Sequence, residues 1–269
     1  MELKFYDAGI ACYESQKLGC KNAFFTRLGG VSHGSTASLN LAFGRGDDRE
    51  TVLRNLALCA EAKGFSAEDI ISCPQIHSSE ILTVNESHRG LGYFRESDVS
   101  CDGYITDKNR IVLGVKTADC VPILMSAKKD GKVVAVAAVH AGWRGSVNGI
   151  APKAAEKLMA LAGVSPNAVF IAIGPSASSC CYEVGEEVYA EASENFGAVR
   201  ADKYFYAKSN GKYMVDLKGF NASLLYLLGI PYENMDISEM CTICEERYFY
   251  SHRRDGDDRG THLNIITID

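Results

Sequence analysis

The chain has no stretch able to span a bilayer: its most apolar run, Val133 to Val139, is far short of about 20 residues. It also lacks a basic excess. Lysine and arginine total 28 against 34 aspartates and glutamates, a net charge of −6. That balance argues against a general binder of nucleic-acid backbone, although local basic pockets are compatible with it. The N-terminal MELKFYDAGIACYES has no basic segment leading into an apolar core, so no export signal is expected. Ten cysteines in 269 residues do not amount to a disulfide framework, and reduced thiols in a cytoplasmic protein are expected. Internal repeats and low-complexity linkers are lacking too. With an apolar fraction of 46%, a length of this order builds one large domain or two small ones. The expectation is a single domain over residues 1–269, monomeric or in a small homo-oligomer.

What is present is a mixture of helical and strand signals. Thr26 to Gly46 is Gly-rich and aperiodic, as functional loops often are. Asp48 to Ala62 carries apolar residues at helical spacing. Strands are predicted at Ile111–Val115, Val121–Met125, Val133–Val139 and Val169–Ile173, the third apolar enough to be buried on both faces. A helix over Val147–Leu161 separates the last two, which makes a crossover and implies a partly parallel sheet. Helices are predicted over Gly185–Phe196 and Leu217–Leu228, and strands over Ile81–Val84, Tyr248–Ser251 and Leu263–Ile268. The fold class is α+β (mixed α/β), with two packed mixed sheets and helices on the outer faces.

Three segments carry chemistry. In VHAGWRGSVNGI, His140 ends a buried strand and a glycine-bracketed turn presents Arg144 and the lone tryptophan before a helix. Strand ends facing helix N-termini are where α/β proteins place ligands, and Arg144 with free amides suits an anion such as phosphate. A tight turn with a surface arginine is the plain alternative. In KTADCVPILM, Cys120 breaks two apolar runs as a ligand, a nucleophile or a small core residue. In CPQIHSSEI, His77 is by itself more simply structural. Together, two histidines and a cysteine suffice for a catalytic zinc with an open fourth position, and imidazole with thiolate also suits copper. The same residues also permit a Cys120 nucleophile with His140 as base and His77 as third member. In FTRLGGVSHGSTASLN, Arg27 and Asn40 sit among glycines, a weak phosphate-binding pattern. Cys241-Thr-Ile-Cys244 has no second pair at zinc-ribbon spacing and, like Cys180-Cys181, reads as packing. The His252–Asp258 charge cluster reads as self-paired and exposed. No role is read for His262.

The segments FFTRLGGVS, SLNLAFGRGDD, QIHSSEI, CDGYITD, KTADCVPILM, VHAGWRGSVNGI, CCYEVGEEV and YFYSHRRDG occur in an order that resembles the bacterial YfiH family, also called the laccase-domain or polyphenol oxidoreductase family. Departures fall at Ser78, in GPSASS and in the tail RGTHLNIITID. The resemblance implies a purine nucleoside phosphorylase with His77, Cys120 and His140 as its metal triad. It implies phosphorolysis of adenosine, inosine and S-methyl-5'-thioadenosine, with deamination of adenosine as a side activity. Small molecules, nucleoside and phosphate, are the expected partners, with no nucleic acid and no membrane. Zn2+ is the first expectation and Cu2+ the second. Arg27, Asn40 and Arg144 are candidates for binding phosphate or substrate. Similar architecture also suggests a Cys–His amidase or deamidase, for instance in peptidoglycan editing. A polyphenol oxidoreductase or a non-enzymatic metal-binding module is the remaining alternative, though six histidines are few for several coppers.

Overall fold

The structure, a computed structural model, describes residues 1–269. Its first strands are β1 (Glu2–Phe5), β2 (Ala11–Glu14), β3 (Lys21–Phe25), β4 (Ile70–Ile71) and β5 (Ile81–Thr83). Then come β6 (Gly103–Thr106), β7 (Val112–Thr117), β8 (Val121–Lys129), β9 (Lys132–Ala141) and β10 (Val169–Ile173). The last are β11 (Glu183–Val184), β12 (Phe205–Ala207), β13 (Tyr213–Val215), β14 (Met235–Ile237) and β15 (His262–Thr267). The helices are α1 (Arg49–Lys63), α2 (Trp143–Val147), α3 (Ile150–Ala162), α4 (Glu186–Phe196), α5 (Ala198–Ala201), α6 (Leu217–Leu227) and α7 (His252–Asp255). No helix is long and apolar enough to cross a membrane.

Two six-stranded mixed sheets form the body, in the orders β1-β2-β3-β15-β7-β4 and β14-β10-β8-β9-β6-β5. A small third sheet, β11-β13-β12, was not signalled by its short strands. The mixed class with helices outside the sheets is as expected. Successive strand residues face opposite sides, and the core uses both. Ile123 and Met125 of β8 and Ala137 and Val139 of β9 pack toward α3 and α6. Leu124, Val136 and Ala138 instead meet Phe24, Leu113, Val115 and Ile266 of the first sheet. The other face of that sheet is covered by Val52, Leu56 and Cys59 of α1. The continuous apolar run at 133–139 is therefore buried on both faces, as its composition predicts.

The crossover differs in detail. β9 and β10 run the same way but do not pair, because both lie antiparallel to β8, which sits between them. The parallel pairs are β10 with β14, β5 with β6 and β4 with β7. The single helix predicted over 147–161 is split by Gly149, whose φ of 72° leaves the helical region. The strand predicted at Tyr248–Ser251 is absent. The amides of Tyr248 and Phe249 turn back onto the Glu245 carbonyl, and that of Tyr250 donates to His262 Nε2 at 2.8 Å.

The Gly-rich stretch 26–46 is held as a scaffold. Asn55 of α1 accepts from the Val31 amide at 2.8 Å and donates to the Asn40 carbonyl at 2.9 Å. At Gly30 a Cβ would lie 2.1 Å from the Ser38 carbonyl oxygen, so no other residue fits there.

His262 is buried between the Phe249 and Tyr250 rings. Burial is the main cause that pushes its imidazole down to about 3 from the ordinary 6.5. The neutral ring is the folded form, and the unfolded chain takes up the proton first. Stability should therefore be complete above pH 6.5 and fall as pH drops toward about 3. The slope contributed approaches about 1.4 kcal/mol per pH unit. Urea midpoints below pH 6.5 should fall less steeply in His262→Gln than in the wild type. Equal slopes would contradict this.

Candidate active site

Strand register assembles the site. Pro122 of β8 pairs with His140 of β9, so Cys120, just before β8, meets His140 near the end of β9. Gly103 of β6 pairs with Val139, which sets Asp102 beside His140. His77 arrives on the loop before β5, whose Ile81 pairs with Gly103. The ligating atoms of His77, Cys120 and His140 all lie within 4.8 Å of one another. The two imidazole rings stand edge to face with centroids 4.9 Å apart.

Asp102 organises this arrangement. It is fully buried, and its Oδ1 accepts from His140 Nδ1 at 2.8 Å and from the His77 amide at 3.1 Å. Its Oδ2 accepts from the amide and hydroxyl of Ser78 at 2.7 and 2.8 Å. Ser78 thus adds a hydroxyl donor to its amide donor. These bonds hold His77 at a φ of 58°, in the left-handed region that non-glycine residues avoid. They also leave the Nε2 of His140 for Cys120 or a metal. Burial opposes the charge on Asp102, yet the His140 and Ser78 bonds outweigh it and hold the carboxyl at about 2.

Asp119 repeats the device on the other side. Its φ is 97°, and its carboxylate accepts from Thr242 Oγ1 at 2.6 Å, Ser251 Oγ at 2.9 Å and the Arg253 amide at 2.7 Å. This fixes the turn that presents Cys120. Burial disfavours the thiolate, but the neighbouring histidines draw the thiol down to about 6. Burial likewise disfavours the imidazolium, while the thiolate and Asp102 lift His140 to about 9. Cys120 is thus poised as a thiolate, the form that binds metals and attacks electrophiles. A Cβ on Gly142 would come within 3.0 Å of His77 Cδ2 and 3.3 Å of Cys120 Sγ, so the glycine leaves room for the triad.

The triad lines a cleft of about 1040 Å³. Arg45, Arg49, Arg95, Lys116 and Arg259 share this lining with only two acids, Glu96 and Asp257. Arg259 is 7% exposed and forms no ion pair; its guanidinium donates only to the Gly260 carbonyl and Thr261 Oγ1, each at 3.0 Å, and its Nε has no partner. Burial pushes Lys116 down to about 8. Such a wall favours an anionic ligand.

The other sequence candidates do not line the cleft. Arg27 is spent on the fold: it donates to the Ala37 carbonyl and stacks on Tyr250, 4.5 Å from the ring centre. Asn40 is buried and bonded to Ala42, Asp47 and Thr261. Arg144 is exposed and stacked on Trp143, outside the cleft lining. Asp102 and Arg259 had no role assigned from sequence. The signal for Asp102 was its place in CDGYITD, and Arg259 was hidden beside the charge cluster, where Arg254 pairs with Asp255 but also donates to the Thr242, Ile243 and Phe249 carbonyls, and where His252 and Asp257 line the cleft.

Residues 21–269 match the family described as "Multi-copper polyphenol oxidoreductase laccase". The chain belongs to this family. It is 36% identical to the purine nucleoside phosphorylase YlmD of Geobacillus stearothermophilus, over 96% of this chain and 93% of that protein. It is 34% identical to the adenosine deaminase RL5 of an unknown prokaryotic organism, over 88% of this chain and 90% of that one. The crystal structure of YfiH from Bacillus licheniformis superposes with a TM-score of 0.91 at 29% identity, covering 99% of both chains. The family resemblance read from the motifs is thereby shown. Relatives carrying phosphorylase names support an enzyme with small-molecule substrates.

Proposed function

We propose that this family member is a metal-dependent purine nucleoside phosphorylase acting on adenosine, inosine and S-methyl-5'-thioadenosine, with adenosine deamination as a side activity. The observation that carries the reading is one cleft holding both the triad and Arg259, a buried cation without a carboxylate partner. His77, Cys120 and His140 fit a metal: three nitrogen and sulfur donors converge, and Asp102 orients one imidazole from behind as metal-bound histidines require. Zinc suits this donor set and needs no redox partner, with copper the second choice. Bound there, the metal supplies a Lewis acid. Arg259 holds phosphate through its guanidinium fork, with Lys116, Arg45 and Arg49 adding charge around it. The phosphate is thereby kept against the sugar C1′ as positive charge grows there. Arg144, outside the cleft lining, is a further candidate for binding phosphate or substrate.

Incubation with adenosine tests this directly. Adenine and ribose 1-phosphate should form only when phosphate is present. Arg259→Gln should raise the KM for phosphate by about 10- to 100-fold, the value of one lost charge-assisted bond. An unchanged phosphate KM would remove Arg259 from the site.

The chain Cys120–His140–Asp102 also has the order of a nucleophile, base and orienting carboxylate. That supports an amidase as the second reading, with Asp102 rather than His77 as third member.

A further inference from the structure

The two cysteine pairs read as packing from sequence converge on one point. Cys180 and Cys181 lie on the loop after β10, and Cys241 and Cys244 on the turn after β14. β10 and β14 are a parallel pair, so both loops leave at the same end of the sheet. The loops are locked in register: Ser176 bridges to Cys241, and the Thr242 amide donates to the Ser176 carbonyl at 3.1 Å. All four sulfurs then fall within 4.8 Å of one another. The Cys244 sulfur is 3.6 Å from that of Cys180 and 3.2 Å from that of Cys181.

We propose that Cys180, Cys181, Cys241 and Cys244 form a second metal site, a closed four-thiolate zinc centre that ties the loop after β10 to the turn after β14. A zinc–sulfur bond of about 2.3 Å gives a tetrahedron with edges of about 3.8 Å, so the four sulfurs need only sub-ångström to about 1 Å adjustments. A disulfide would bring one pair to about 2.05 Å and leave the other two sulfurs unused. The surroundings suit a metal thiolate. The amide of Ser178 donates to the Cys241 sulfur at 3.4 Å. Such an N–H donor satisfies a lone pair left on a coordinated thiolate. Four thiolates around Zn2+ carry a net charge of −2, and the four thiol protons pass to solvent on binding. Lys218, 5% exposed, is the cation nearby; its ammonium has a single hydrogen bond, to the Met240 carbonyl at 2.9 Å. Cys180 and Cys244 are exposed, which gives zinc a path in. Four protein ligands leave no open position, so the centre is structural. It braces the active site, because Thr242 between the cysteines of the second pair holds Asp119, next to Cys120. The proposal stands independently of the phosphorylase reading.

Zinc K-edge absorption on His77→Ala/His140→Ala, purified with added zinc, isolates this site from the triad. About one zinc per chain with four sulfurs at about 2.3 Å is expected. Adding Cys181→Ser/Cys244→Ser should abolish that zinc. The native mass of the otherwise wild-type chain with and without Cys181→Ser/Cys244→Ser gives the same answer should the triad variant not fold: the wild type should carry one more zinc. No zinc in the triad variant, nitrogen or oxygen ligands around it, an equal metal load in the second comparison, or a Cys181–Cys244 disulfide by peptide mapping would overturn the proposal.

Discussion

Asp102→Asn should cut turnover by about 10- to 100-fold while leaving the fold intact. Asp102 is fully buried and serves the site without facing the cleft lining. The asparagine keeps the volume but loses the charge, and its amide nitrogen donates where His140 Nδ1 also donates. The ring then rotates or changes tautomer, and its Nε2 no longer meets Cys120. Metal affinity should fall with turnover. Asp102→Ala should go further. It strips the acceptor from the part-buried His77 and Ser78 amides. It also releases His77 from its left-handed conformation. Wild-type turnover in Asp102→Asn would contradict the role assigned to this carboxylate.

The second large effect separates the two readings of Cys120. As a ligand, Cys120→Ala should lose the triad metal and turnover together, by at least about 100-fold and more than the loss of an outer partner costs. His77→Ala should behave in the same way. As a nucleophile, Cys120→Ala would keep the metal, lose turnover and abolish labelling of the site by iodoacetamide. The account predicts the first pattern, with Trp143 emission unchanged because the removed thiol opens only a small gap beside Gly142.

Much of this was legible in the sequence where the signal is local. The strand Val169–Ile173 has the predicted bounds, and the apolar runs at 121–125 and 133–139 mark strands buried on both faces. Cys120 and His140 stand out because each interrupts or ends an apolar run, His77 joined them only through the combined motif and the family resemblance, and the structure brings all three together. What escaped depends on distance along the chain. Asp102 acts on a residue 38 positions away, so its segment alone gave no sign of what it binds. The cysteine pairs are more than 60 positions apart, and their spacing matches no ribbon pattern; the parallel pairing of β10 and β14 unites them. Arg27 and Asn40 show what residue type leaves open. Their residue types suit phosphate, but the aperiodic loop needs their polar groups to satisfy its own carbonyls and amides.

The most direct test of the central claim is a metal titration of phosphorolysis. Protein stripped with a chelator, and shown by elemental analysis to be metal-free, is supplied with adenosine and phosphate while zinc is added back. Adenine release should be lost on stripping and should return as the triad fills, and Cys120→Ala should show no return. Full phosphate-dependent turnover in the metal-free protein would contradict the account.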